Sequence, residues 1–142
     1  MTTSQLIAID GSEPSARAVD QAIADAANRK HIPHIYLVNV QPALPPNVTR
    51  FIDAETVGDF QRETGDHALA SAKAKLTASG LAFSSHILVG EAARSIVEFA
   101  QEKHCGQIIM GAHGFGSVVG LLMGSVTVKV VHLSPMPVLL VK

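Results

Sequence analysis

The run from Gly111 to Ser125 has the residue types and the position expected of a phosphate-binding loop. It reads Gly-Ala-His-Gly-Phe-Gly-Ser-Val-Val-Gly-Leu-Leu-Met-Gly-Ser, and it lies between the apolar stretch 107–110 and a segment that can form a helix. Glycine allows positive φ and a close approach to a ligand, and free N–H groups at a helix start favour an anion. We therefore expect a phosphate ligand here, with a plain glycine-rich surface loop as the open alternative. The glycines are Gly111, Gly114, Gly116, Gly120 and Gly124.

The glycines of this run follow a defined spacing. Two residues separate Gly111 from Gly114, nine residues separate Gly114 from Gly124, and Ser125 follows. The sequence contains no Walker A motif, and no G-x-G-x-x-G motif follows a predicted strand. The pattern is similar to the G-x2-G-x9-G-[ST] signature of the nucleotide-binding universal stress proteins. The resemblance covers one domain, residues 1–142, because further blocks follow in the family's order. These blocks are Leu6–Ser15, Leu37–Val40, Val89–Ala92 and Gly124–Lys142.

The resemblance implies a module that binds ATP or a related adenine nucleotide, together with magnesium. It implies that the Val40 backbone contacts adenine and that Asp10 accepts ribose hydrogen bonds or helps to hold the metal. The loop amides and the Ser125 hydroxyl would surround the phosphates. The expected binding residues are Ala8, Asp10, Ser12, Val40, Gly90, Met110, Gly111, His113, Gly114, Gly124, Ser125 and Val126, with Asp10 also expected as the metal ligand.

Some of these residues have simpler structural explanations. The resemblance implies the strand order 3-2-1-4-5, in which Asp10 and Gly111 follow or end two neighbouring strands at the point where the order reverses. Doubly wound sheets bind their ligands at that point. Asp10 can equally be a turn carboxylate at a strand end. Ser12 is primarily a helix cap, and Gly90 is explained about equally well by a turn before a helix.

The chain departs from the resembling family at one position. Members often have a basic residue after the second motif glycine, whereas this chain has Phe115, so Lys129 or His113 would have to supply the charge. Asp10 is the one carboxylate placed near a γ-phosphate, and we expect slow ATP hydrolysis at most. The alternative function is a nucleotide-independent dimeric module that regulates a partner protein.

Composition limits the class of protein and its partners. The 142 residues are 47% hydrophobic and 4% aromatic, which favours a Val, Ile, Leu and Ala core in a sheet covered on both faces. A net charge of −1 gives no attraction to nucleic acid or to anionic membranes, and no apolar stretch is long enough to span a membrane.

Cys105 is the only cysteine, so we expect a cytoplasmic protein with a semi-buried structural thiol at a helix end. The seven histidines form no His-x3-His pair, and we expect no zinc site.

Alternating apolar strands and amphipathic helices predict the fold. We expect a single doubly wound, five-stranded parallel sheet of order 3-2-1-4-5 with helices on both faces. The predicted strands are Leu6–Ile9, Ile35–Val40, Ser84–Val89, Gln107–Met110 and Val138–Val141, and the predicted helices run from Ser12 to about Arg29, from Ala54 to Ser79 and from Ala92 to Lys103.

The segment after Ser125 is ambiguous. Alternating valines favour a strand, but Ser125 can cap a helix that has Val126, Val130 and Leu133 on one face and ends at Pro135. We predict a helix. The last strand, Val138–Val141, would then be an apolar sheet edge, and we expect it to pair with its copy in a homodimer, with higher oligomers left open.

Overall fold

The computed structural model describes residues 3–115 and 123–142. Their strands form one parallel sheet in the order β3-β2-β1-β4-β5, which confirms the predicted fold. The strands are β1 (Ser4–Ala8), β2 (His34–Gln41), β3 (Phe83–Val89), β4 (Cys105–Gly111) and β5 (Val138–Val141). The helices are α1 (Glu13–Ala26), α2 (Pro46–Thr49), α3 (Ala54–Ser79), α4 (Ala92–Glu102) and α5 (Ser125–Leu133).

Helices cover the two faces of the sheet in separate hydrophobic layers. One layer joins the sheet to α1 and α3 through fully buried side chains such as Ile7, Val19 and Leu76. The other joins the sheet to α4 and α5 and includes Leu6 and Val130. Neighbouring residues of β1 thus enter opposite layers, as the side-chain alternation of a strand requires.

Several local predictions are correct because strong signals agree. Ser12 caps α1, since its hydroxyl oxygen accepts the N–H of Ser15 at 3.5 Å. Gly80 ends α3 with a left-handed φ of 76°. The predicted bounds of α3 are those observed, and its exposed Phe60 lies on the face opposite the buried stripe of Leu69, Ala72 and Leu76.

Other local features were predicted wrongly or not at all. The short helix α2 was not predicted, although proline fits a first helical turn and Pro46 occupies that place. Helix α1 ends at Ala26, before Arg29. Cys105 begins β4 and is buried there, so it does not lie at a helix end. Burial raises the pKa of its thiol to about 11, which keeps it protonated at neutral pH.

Helix α5 forms, but not with the predicted cap or buried face. Gly124 is the N-cap residue, with extended backbone, and Ser125 is already helical. The helix buries Thr127 and Val130 and leaves Val126 and Leu133 exposed, because only a narrow face of α5 packs against the rest of the chain. No helix in the described ranges is long and apolar enough to cross a membrane.

Candidate functional site

A cleft of about 150 Å³ opens where β1 and β4 end, at the point where the strand order reverses. Apolar side chains of β2 and α4, among them Val38, Val40 and Ile96, form part of its lining. Glycines of the loop after β4 and the first residues of α5 form another part. The lining therefore combines surfaces suited to a flat apolar group with exposed backbone suited to an anion.

The cleft brings together most of the residues singled out from the sequence. Ser12 does not line it and serves as a helix cap, and Gly90 does not line it either; Gly116 and Gly120 lie outside the described residues. The predicted residues that line the cleft are Ala8, Asp10, Val40, Met110, Gly111, His113, Gly114, Gly124, Ser125 and Val126. Lining residues that the sequence did not identify are Ile9, Ser15, Val38, Ala92, Ile96, Phe115 and Thr127.

The start of α5 offers backbone donors to the cleft. Its N-cap, Gly124, has no side chain that could accept a hydrogen bond. The first intrahelical bond runs from the N–H of Val128 to the carbonyl of Gly124, so the N–H groups of Ser125, Val126 and Thr127 have no intrahelical acceptor. All three residues line the cleft. Free donors and the positive end of a helix dipole together favour an anion.

The other helices of more than one turn have side-chain caps at their N-termini. Ser12 caps α1, Asp53 caps α3 by accepting the N–H of Thr56, and Glu91 caps α4 by accepting the N–H of Arg94. These hydrogen bonds are the first cause of a lowered pKa for both Asp53 and Glu91. Of the described helices longer than one turn, α5 is thus the one whose N-terminus has no side-chain cap.

A buried threonine fixes the start of α5 against the end of β4. The Thr127 hydroxyl donates to the carbonyl of Gly111 at 3.2 Å, and the N–H of Gly124 donates to the carbonyl of Ala112 at 2.8 Å. Thr127 is 3% exposed, so its hydroxyl is shielded from competing water. These two bonds hold the open helix start beside the strand end without using its free donors.

The described glycines of the loop do not need positive φ, contrary to our expectation. Positive φ at glycine occurs in the described ranges at Gly11, Gly80 and Gly90. What matters at Gly114 is the missing side chain, because a Cβ there would overlap Oδ2 of Asp10. At Gly111 a Cβ would lie 2.7 Å from Cβ of Pro14, so this glycine allows β4 to end against the start of α1.

Asp10 has both of its carboxylate oxygens near the loop and the turn. Oδ1 accepts the N–H of Ser12 at 2.9 Å, which is the turn role weighed from the sequence, and Oδ2 faces Gly114. Asp10 is an exposed residue that lines the cleft, and it is the one acidic side chain in the described lining. The described residues contain no group of three or more His, Cys, Asp or Glu side chains that could hold a metal. A magnesium ion here would therefore depend on Asp10 together with phosphate oxygens.

A model of the universal stress protein family matches residues 1–142 of this chain. The chain belongs to the universal stress protein family. It is 33% identical to universal stress protein MJ0531 of Methanocaldococcus jannaschii over 140 residues, which are 96% of this chain and 80% of that protein. It is 30% identical to universal stress protein YxiE of Bacillus subtilis, with 100% of each chain covered.

Solved structures of other universal stress proteins share this fold. The structure of MJ0577 of Methanocaldococcus jannaschii superposes with a TM-score of 0.84 at 26% identity, covering 100% of this chain and 96% of that one. A universal stress protein of Archaeoglobus fulgidus in complex with dAMP gives a TM-score of 0.66 at 24% identity, covering 99% and 98%. A family protein of Arabidopsis thaliana with AMP bound gives 0.68 at 17% identity, covering 99% and 91%.

Proposed function

We propose that the cleft binds an adenine nucleotide and that this universal stress protein is a nucleotide-responsive regulatory module. The observation that carries the proposal is the uncapped start of α5, whose three free N–H groups line the cleft. The Archaeoglobus and Arabidopsis proteins, bound to dAMP and AMP, support the choice of adenine nucleotides. The apolar lining from β2 and α4 fits a base, and the loop glycines allow the backbone to approach a phosphate.

ATP with magnesium is the form of nucleotide that the resemblance to the family's glycine motif implies. Asp10 would then contact the ribose or share the metal with phosphate oxygens. With one carboxylate in the described lining, and with that carboxylate already accepting the N–H of Ser12, the cleft has a poor candidate for a general base. We therefore propose a binding module that hydrolyses ATP slowly at most. We also propose a cytoplasmic location, which the single cysteine, Cys105, favours.

Thermal unfolding with a panel of nucleotides tests this function. We expect at least one of AMP, cyclic AMP, ADP and Mg-ATP to raise the melting temperature, because a hundredfold excess of ligand over Kd stabilises the folded state by about 2.7 kcal/mol. Phosphate alone and adenosine alone are the matched controls and should each have a smaller effect. An unchanged melting temperature with every nucleotide at millimolar concentration would favour the nucleotide-independent interaction module instead.

We further propose a homodimer that pairs β5 with its copy. Strand β5 is at the sheet edge and is half-buried along its length. Helix α5, whose Val130 shares a hydrophobic layer with Val138 and Leu140, leaves four apolar side chains exposed, at Val126, Val128, Val131 and Leu133. The carbonyls of Pro137 and Val141 accept the N–H groups of Ile108 and Ala112, and alternation along the strand then directs the N–H of Leu140 to the open edge. A second copy of this edge would pair these groups and bury the apolar surface.

Light scattering of two variants tests the dimer. Leu140→Pro removes an outward N–H donor and should yield monomers, whereas Leu140→Ala keeps the donor and should remain dimeric. A monomeric wild-type protein, or a dimer that persists in Leu140→Pro, would contradict this arrangement.

A further inference from the structure

Three buried amide side chains lie around the carboxyl end of β2. Asn39 and Gln41 follow the apolar Leu37 on one face of the strand, and Gln61 of α3 donates to the carbonyl of Pro42 at 3.4 Å. Burying an amide costs free energy unless its hydrogen bonds are satisfied, and an apolar side chain fills the preceding position on the same face. The groups to which these amides bond therefore indicate why they are there.

Asn39 links the end of β1 to β2. Its Nδ2 donates to the carbonyl of Ile9 at 2.8 Å, and the N–H of Ile9 donates to the carbonyl of Val38 at 2.8 Å. Ile9 lies one residue beyond β1, so β2 holds both polar groups of its backbone. The carbonyl of Ile9 belongs to the planar peptide group that leads into Asp10. Asn39 therefore fixes the direction in which the chain enters Asp10.

Gln41 determines which way the amide of Asn39 points. Its Nε2 donates to Oδ1 of Asn39 at 2.7 Å, so the amide directs its NH2 group to the carbonyl of Ile9. Asn39 is 3% exposed and Gln41 is 8% exposed, so water does not compete for these bonds. The two buried amides thus form one chain of hydrogen bonds that ends at the backbone before Asp10.

Asn39 lies behind the cleft and between two parts of its lining. Its neighbours on β2, Val38 and Val40, line the cleft, and so do Ile9 and Asp10. Alternation along the strand directs the side chain of Asn39 to the opposite face of the sheet. The apolar part supplied by β2 is where we expect the base, and Asp10 is where we expect the ribose or the metal. The bond from Asn39 to Ile9 therefore sets the distance between these two parts.

We propose that Asn39 is a positioning residue for nucleotide binding, which holds Asp10 at a fixed distance from the apolar lining supplied by β2, and that Gln41 orients it. The proposal rests on the adenine-nucleotide function above and adds two residues that do not touch the ligand. Asp10 is exposed, and its bond to the N–H of Ser12 orients the carboxylate relative to the turn only. The bond from Asn39 supplies the restraint relative to β2.

Calorimetric titration with AMP and with Mg-ATP tests the positioning role. Asn39→Leu has a similar volume but no donor, and it should weaken binding of the preferred nucleotide about tenfold, as the loss of a buried hydrogen bond can. Gln41→Met leaves Asn39 without its orienting donor and should weaken binding about threefold, which keeps the test decisive if Asn39→Leu does not fold. Gln61→Met is the matched control, because it also loses a buried amide, and should change affinity less than about 1.5-fold. Equal losses in Gln41→Met and Gln61→Met would overturn the proposal.

A double-mutant cycle with Asp10→Ala separates positioning from general destabilisation. If Asn39 acts through Asp10, Asn39→Leu should weaken binding by less than about twofold once Asp10 is alanine. The same loss in both backgrounds would overturn this inference and leave the adenine-nucleotide function intact. A wild-type protein that binds neither nucleotide would overturn both proposals.

The free protein gives a further readout that needs no ligand. The N–H of Ser12 donates to Oδ1 of Asp10 at 2.9 Å, so its nuclear magnetic resonance shift reports the position of that carboxylate. The shift should move in Asn39→Leu and in Gln41→Met, and it should stay in place in Gln61→Met. A Ser12 shift that is the same in wild type and in Gln41→Met would overturn the positioning of Asp10, whatever the nucleotide affinities are.

Discussion

The connections β1–α1 and β4–α5 both lead from a strand end to a helix start at the same edge of the sheet. In the first, Gly11 takes a φ of 86°, Asp10 accepts the N–H of Ser12, and Ser12 caps the helix. In the second, Gly124 has ordinary extended backbone and leaves the N–H groups of α5 without a cap. The first connection satisfies its own polar groups, and the second presents them to the cleft. The difference is that the chain itself caps the first helix start, whereas the second leaves backbone donors available to the ligand that we propose.

The largest expected effect is loss of nucleotide binding in Gly114→Val. A branched side chain at this position would overlap the Asp10 carboxylate and displace the loop that lines the cleft. We expect binding at least a hundredfold weaker, which corresponds to roughly 2.8 kcal/mol, as measured by calorimetry. Circular dichroism should show a folded protein, because Gly114 is not buried. Wild-type affinity in this variant would contradict the placement of the loop.

Alanine at Gly11 and at Gly124 should separate the two connections by stability. Gly11→Ala forces a side chain into left-handed backbone and should cost about 1–2 kcal/mol of unfolding free energy. Gly124→Ala keeps a φ of −76° that any residue adopts but replaces glycine by alanine at a buried N-cap, so it should cost about 0.5–1 kcal/mol, less than Gly11→Ala. Urea denaturation measures both. Equal losses in the two variants would remove the contrast.

The serines that follow these glycines should differ in the same direction. Ser12→Ala removes the cap of α1 and should lower the unfolding free energy by about 1 kcal/mol. Ser125→Ala removes no cap and should leave the stability of the free protein within about 0.3 kcal/mol, while weakening nucleotide binding. A stability loss in Ser125→Ala as large as that in Ser12→Ala would mean that α5 depends on this hydroxyl as a cap.

The smallest effect concerns the acidic caps. The pKa of Glu91 lies below its usual 4.5 because it accepts the N–H of Arg94, and the pKa of Asp53 lies below 3.8 because it accepts that of Thr56. Since folding lowers both pKa values, their stabilisation is present above about pH 4.5 and is lost as pH falls through the folded values. Wild type should exceed Glu91→Gln in stability at pH 7, and the difference should shrink as the pH falls below the folded pKa of Glu91. A gap that widens in acid would contradict this assignment.

The fold was predictable because its signals are local and redundant. Apolar runs such as Val138–Val141 indicated the strands. Ser12 indicated a helix start because its hydroxyl can cap backbone N–H groups, and Gly80 indicated a helix end because glycine adopts left-handed backbone. The short helix α2 was not predictable, since three prolines can accompany either a loop or a first turn. The cap of α5 was misassigned because serine is the better cap by preference, whereas the loop places Gly124 there.

The cleft was predictable where the backbone defines it and less so where side chains do. The glycine spacing located Gly111, Gly114 and Gly124, but it did not show that Gly111 packs against Pro14 or that Gly114 faces Asp10. Ile96 and Thr127 were missed because one resembles an ordinary core residue and the other lies in a valine-rich segment. Such roles follow from tertiary contacts between elements that are distant in sequence.

The most direct test of the open helix start is nuclear magnetic resonance of the backbone amides during titration with AMP. The account predicts large shifts for the N–H groups of Ser125, Val126 and Thr127, which are free to contact a phosphate. The N–H of Ser15, which the Ser12 hydroxyl already accepts, should move little. Shifts concentrated at the start of α1, or none at the start of α5, would contradict the central claim.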